Sequence, residues 1–269
     1  MRKIVVGWAL ALSTAACGIS TQQEVQMGAE YAAQINAQLP IVQDAEINRY
    51  VNVLGDSISR LADPRGIDYT FYVVNAGEVN AFAVPGGFIY VNRGLVERTQ
   101  NLSQLAGVLG HEIAHVVRRH SVEQMEKAQG ANLGLILGCT LINVCGSQAA
   151  QAAIQVGGTA LFAKFGRDDE READRDAVAN VIRAGINPQG VPQMFEILLA
   201  ERARNPGAVD SWFSTHPGEE ERITETRAMI SQYDAAILRT LTTNTTSYNS
   251  FKARVRSLPA PSTAMRVWV

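Results

Sequence analysis

The chain lacks a charge bias, a long apolar run and any cysteine cluster. Its 24 Lys and Arg stand against 26 Asp and Glu, a formal net charge of −2, which gives no electrostatic reason to expect a nucleic-acid partner. The apolar stretches at residues 4–12 and 131–165 are too short, or too often broken by Asn143, Gln148, Gln151 and Gln155, to reach the roughly 20 residues of a membrane-crossing helix. Three cysteines, Cys17, Cys139 and Cys145, are too few for a Cys-based zinc site. In an oxidising compartment Cys139 and Cys145 can bridge as a disulfide, or they stay as two buried thiols. What remains is an ordinary globular composition, 46% hydrophobic and 19% charged over 269 residues, enough for one large domain or two smaller ones.

Residues 1–16 read as an export signal, with Arg2 and Lys3, a short apolar run and then small residues before Cys17. The Ala15-Ala16-Cys17-Gly18 ending resembles a bacterial lipoprotein signal, which would make Cys17 the lipidated first residue of the mature chain. Thr14 departs from the aliphatic residue usual at that place, so plain secretory cleavage stands as the alternative. Gly18 resembles the residue that sorts lipoproteins to the outer membrane. Either route puts the mature protein outside the cytoplasm.

The chemistry starts at residues 102–120, an apolar helical stretch that contains His111-Glu112-Ile113-Ala114-His115, the HExxH pattern of zinc peptidases. At roughly 100° per residue the two imidazoles stand about 40° apart and reach one cation, while Glu112 lies about 100° from His111. That is the spatial demand of metal-assisted hydrolysis, with Glu112 placed to take a proton without being a ligand. Five residues alone leave a bland alternative, two core histidines that merely hydrogen-bond. Leu102, Leu105, Leu109, Ile113 and Val116 form the buried stripe, and Gly107, Gly110 and Ala114 permit close backbone approach from another side. Asn101 or Ser103 caps the start. His120 falls about half a turn from His111 and is expected to be exposed near the helix end.

A third ligand must come from elsewhere. Residues 168–176 offer many carboxylates, so helix phase has to choose among them. With Ala173 at zero, Ala177, Val181 and Ala184 fall within about 80°, Glu170 at about 60° and Asp174 at about 100°, while Glu172, Arg183 and Asp176 point the other way. Glu170 and Asp174 are therefore the acids on the apolar face. Burial of an unpaired carboxylate is costly, which points to Glu170 as metal ligand and Asp174 as the acid that orients a ligand imidazole. A charge cluster favoured by the helix dipole accounts for Asp168 and Asp169 but not for these two.

Around this centre, residues 24–39 and 44–61 carry helical patterns, the second capped by Asp44. Strand patterns follow at residues 67–74, 79–84 and 88–92, the last two joined by Pro85-Gly86-Gly87. Pro85 cannot donate to a ladder, so the strand with Asn80, Ala81, Phe82 and Ala83 is expected at an edge. It can pair with an extended peptide or simply support the metal helix. Residues 131–165 suggest a helical hairpin that covers the site, touches lipid or packs internally. Helical patterns recur at residues 188–204 and 218–232, after which the pattern fades.

Four motifs, His111-Glu112-Ile113-Ala114-His115, Glu170-Arg171-Glu172-Ala173-Asp174, Asn80-Ala81-Phe82-Ala83, and Ser214-Thr215-His216-Pro217 with Arg222-Ile223, resemble the HtpX, BepA and CAAX prenyl protease family of zinc peptidases, in order over residues 44–233. The resemblance implies Glu170 as third ligand and the strand at Asn80 to Ala83 as substrate-backbone site. It also implies that His216 and Arg222 face the centre, either stabilising the oxyanion or, for His216, closing the metal's open position. The long helical-repeat domain of BepA-like members and the membrane spans of HtpX-like ones are not expected, so the short periplasmic lipoproteins of the family are the nearest pattern.

These readings converge on a mainly helical α+β gluzincin of zincin-like fold, with a small antiparallel sheet packed beside the HExxH helix and one Zn2+ per chain. The expected organisation is a signal peptide at 1–16, an N-terminal lead at 17–43, the metallopeptidase domain at 44–233 and a partly flexible tail at 234–269. The expected activity is endopeptidase cleavage of extended or misfolded envelope proteins, in the periplasm and anchored by lipid to the outer membrane, beside the outer-membrane assembly machinery. The alternative is an assembly factor or chaperone with a structural or regulatory zinc.

Overall fold

The computed structural model describes residues 18–128 and 164–261. Cys17, Cys139, Cys145, the export signal and the expected helical hairpin lie outside them. The chain runs α1 (Thr21–Gln38), α2 (Ala45–Ala62), β1 (Thr70–Val74), β2 (Ala81–Val84), β3 (Phe88–Asn92), α3 (Arg93–Arg98), α4 (Leu102–Arg118) and a helix over 120–128, α5. It continues with α6 (Arg167–Arg183), α7 (Gly190–Arg204), α8 (Asp210–Thr215), α9 (Glu219–Ile230), α10 (Ala235–Leu238) and α11 (Thr246–Arg256). Among the described residues no helix is long and apolar enough to cross a membrane.

The sheet departs from the expected antiparallel one. Its order is β1-β3-β2, with β1 parallel and β2 antiparallel to β3. Only the β2–β3 connection is a tight hairpin, made by Gly86 and Gly87 at φ 80 and 95. β3 takes the central place because Ile89, Tyr90 and Val91 are fully buried, and alternation predicts strands without predicting their order. Among the described residues β2 is an edge, in keeping with Pro85 after it. Alternate residues divide between two cores: Phe71, Val73, Ala81, Ile89 and Val91 face α2 and α4, whereas Tyr72, Phe82 and Tyr90 stack at 4.8 Å centroid spacings under Met27, Tyr31 and Ile35 of α1.

α4 is buried at every position from Leu102 to Val116, and its glycines set its neighbours. A Cβ on Gly107 would stand 3.0 Å from the Val191 backbone nitrogen, and one on Gly190 only 2.0 Å from the Ser103 carbonyl oxygen, so α4 and α7 cross backbone to backbone. Gly110 likewise admits Ala177 and Val181 of α6. Asn101 caps α4 by accepting from the Gln104 N–H, and Asp44 caps α2 through the Glu46 and Ile47 N–H groups. The segment expected to be a partly flexible tail holds α11, whose Tyr248, Phe251 and Val255 enter the main core.

Candidate metal centre

Three separate parts of the chain meet at one buried point. α4 supplies His111, Glu112 and His115, α6 supplies Glu170 and Asp174, and the end of α8 and the first turn of α9 supply His216 and Arg222. Each of these side chains belongs to a residue no more than 3% exposed. α6 presents its two acids inward as the helix phase requires, with Glu170 and Asp174 on the face of Ala173, Ala177 and Val181. His216 is placed by backbone restriction. Pro217 after it disfavours helical φ/ψ, so α8 stops with His216 extended at φ −120 and ψ 95 and its ring against Trp212 at 4.6 Å.

One donor atom from each of His111, His115, Glu170 and His216 lies within 4.8 Å of the others. His111 Nε2 stands 3.0 Å from His115 Nε2, 3.4 Å from His216 Nδ1 and 3.5 Å from Glu170 Oε2. Glu170 Oε1 is 3.6 Å from His115 Nε2 and 3.0 Å from His216 Nδ1. Zinc with nitrogen and oxygen ligands at about 2.0–2.1 Å has tetrahedral edges of about 3.3–3.4 Å. Three imidazole nitrogens and the Glu170 carboxylate, whose two oxygens share these spacings, fit that ion.

A sequence model of "Peptidase family M48" matches residues 42–230. The chain belongs to this family. It is 34% identical over 226 residues to the Beta-barrel assembly-enhancing protease of Escherichia coli K12, covering 82% of this chain and 46% of that one. Similarity to the Putative beta-barrel assembly-enhancing protease of Vibrio cholerae is 31% over 221 residues, 80% and 46% of the two chains. Metalloprotease YcaL of E. coli K12 is 30% identical over 187 residues, 68% of each. The chain thus spans about half the length of the assembly-enhancing relatives.

The electrostatics of this M48 centre favour a cation at its middle. Burial would raise the Glu170 carboxyl, but His216 and Arg222 outweigh it and hold it well below the usual carboxylate range. Burial likewise works against Asp174, and Arg222 keeps that acid ionised. Burial drives His115 well below the ordinary imidazole value, leaving it neutral. It also pushes His111 down, yet hydrogen bonds with Asp174 and Glu170 lift that ring to about 9, so a proton is held where positive charge is demanded. Neutral imidazole and ionised carboxylate are the forms that bind metal.

Around the four donors, Asp174 Oδ1 lies 3.0 Å from His111 Nδ1. Arg222 lies at the centre, against its two acids. Its Nε and Nη2 donate to Asp174 at 2.7 and 2.8 Å, and Nη1 lies 2.6 Å from Glu170 Oε2. The guanidinium therefore bridges the two acids. Glu112 Oε1 is buried with no hydrogen-bond partner among the described residues and stands 3.7 Å from His216 Nε2. Burial pushes its carboxyl up. β2, which carries Ala81, Phe82 and Ala83 after Asn80, packs beside α4.

His120 contradicts the expectation of an exposed residue. It is 4% exposed, with Nδ1 2.9 Å from His115 Nδ1. α4 ends one residue earlier, at a left-handed Arg119, so extrapolating its helical phase to His120 fails. The sequence holds no glycine there to announce the corner.

Proposed function

We propose that this chain is a zinc-dependent endopeptidase of the bacterial cell envelope that cleaves extended or misfolded polypeptides. The carrying observation is the buried Glu112 Oε1, with no hydrogen bond among the described residues, beside a buried three-imidazole, one-carboxylate cluster. A purely structural zinc has no need of an acid there. In this reading His111, His115 and Glu170 hold the ion, and Asp174 orients His111. Bound zinc supplies a Lewis acid that lowers the pKa of water toward neutrality and polarises a carbonyl. Glu112 accepts the proton of the attacking water and returns it to the leaving amine, a task suited to a carboxyl whose affinity for protons burial has increased. Arg222 keeps Glu170 and Asp174 ionised and aimed. β2, at the edge of the sheet among the described residues, lays an extended substrate beside α4 by backbone pairing, which reads no particular side chain and so suits unfolded substrates.

A second reading of His216 has its own support. Its Nδ1 completes a four-donor set and its Nε2 faces Glu112, so it holds the position that water needs and keeps the centre shut until His216 withdraws. Residues 1–16 as export signal and Cys17 as lipid anchor would place the protein at the periplasmic face of the outer membrane, near the outer-membrane assembly machinery, a placement in line with the beta-barrel assembly in relatives' names. Incubating the purified protein with an unfolded outer-membrane protein, with and without a zinc chelator, tests the activity. Chelator-sensitive fragments are expected; an intact substrate in both arms, with zinc bound, would leave the assembly or chaperone role.

A further inference from the structure

The two α4 histidines in the centre are held by different chemistry. His111 turns Nδ1 to the Asp174 carboxylate at 3.0 Å. Among the described residues His115 has no carboxylate at its outer nitrogen. Its Nδ1 faces His120 Nδ1 at 2.9 Å, while its Nε2 points into the donor cluster, 3.0 Å from His111 Nε2. Two bare ring nitrogens at 2.9 Å would oppose their lone pairs, so one of them carries a proton. If His115 gives its Nε2 lone pair to a metal, the neutral ring keeps its proton on Nδ1, and His120 Nδ1 must accept it. His120 then carries its own proton on Nε2, which points toward Glu172 Oε2 at 3.7 Å.

The backbone is bent to make this contact. On a continuous helix His120 would stand about 140° from His115 and could not reach its ring. Arg119 breaks the helix in the left-handed region, φ 61 and ψ 30, and is the one non-glycine residue with positive φ among the described residues. Such a conformation is costly for a residue with a side chain and persists only when surroundings hold it. Here Arg119 Nε donates to the fully buried Glu24 of α1 at 2.7 Å, and its Nη2 donates to the Ile19 carbonyl. Phe165 stacks on the His115 ring at 4.0 Å and 25°, fixing its plane.

We propose that His120 is a positioning residue for His115: by accepting the Nδ1 proton it fixes the tautomer that presents Nε2 to zinc, a role the neighbouring His111 obtains from Asp174. The proposal rests on the zinc reading above. Zinc dissociation constants, measured by chelator competition on the full chain, separate the two. His120→Leu keeps apolar bulk and removes the acceptor, so zinc binding is expected to weaken by about 10–100-fold. His120→Asn returns an acceptor oxygen near the present Nδ1 position and is expected to bind within a few-fold of the unmodified protein. In zinc-loaded, 15N-histidine-labelled protein, a slowly exchanging His115 Nδ1–H signal is expected in the unmodified and Asn forms and absent in the Leu form. Equal zinc affinity in all three proteins would overturn the proposal, as would Asn binding as weakly as Leu. An unmodified protein that binds no zinc would overturn the metal reading and this one with it.

Discussion

On one side of the centre, His111, Glu112 and His115 stand on α4 and Glu170 and Asp174 on α6, two 17-residue helices packed along their buried faces. On the other, His216 ends a six-residue helix and is aimed by Pro217, and Arg222 lies in the first turn of α9. The first side is held by side-chain packing and close glycine contacts, the second by local backbone restriction and by charge. In the proposed mechanism the difference separates two tasks. The helical side binds the metal and moves the proton, and the connecting side balances charge and decides access.

Four substitutions sharpen this division. Arg222→Met leaves two buried acids without their cation and is expected to destabilise the fold by about 3–5 kcal/mol in chemical denaturation. A loss under about 1 kcal/mol would mean the bridge contributes little. Next, Glu170→Gln should weaken zinc binding by more than the roughly 100-fold that loss of an outer partner brings, read by chelator competition. His216→Ala should cost less zinc affinity than Glu170→Gln and raise the rate of cleavage of an unfolded substrate. A fall in rate with zinc retained would move His216 from the gate to the transition state. The smallest effect is expected at Glu172→Gln, whose side chain is 43% exposed. Stability there should change by no more than about 0.5 kcal/mol, and zinc binding weaker than in Glu170→Gln would reverse the choice between the two acids.

The helical side was the legible one. HExxH fixes a spacing, and the 100° phase of α6 separated Glu170 and Asp174 from Glu172 and Asp176 because a long helix carries its apolar face in its sequence. Gly107 and Gly110 marked a close backbone approach, though not that α7 and α6 make it. His216 was visible only through family resemblance, since a histidine before a proline in a loop has no periodicity to place it. His120 was misplaced because its position depends on Arg119 adopting a left-handed corner, and the partner that holds that corner, Glu24, lies 95 residues earlier. The sheet order was hidden because alternation reports which face a residue takes and not which strand lies beside it.

The central claim is that one buried zinc ion and one acid beside it cut peptide bonds. Glu112→Gln, loaded with zinc and compared with the unmodified protein on the same unfolded substrate, tests it most directly. The account predicts one zinc per chain in both proteins and a cleavage rate at least about 10²-fold lower in the variant. Equal cleavage by a zinc-loaded Glu112→Gln protein would contradict it.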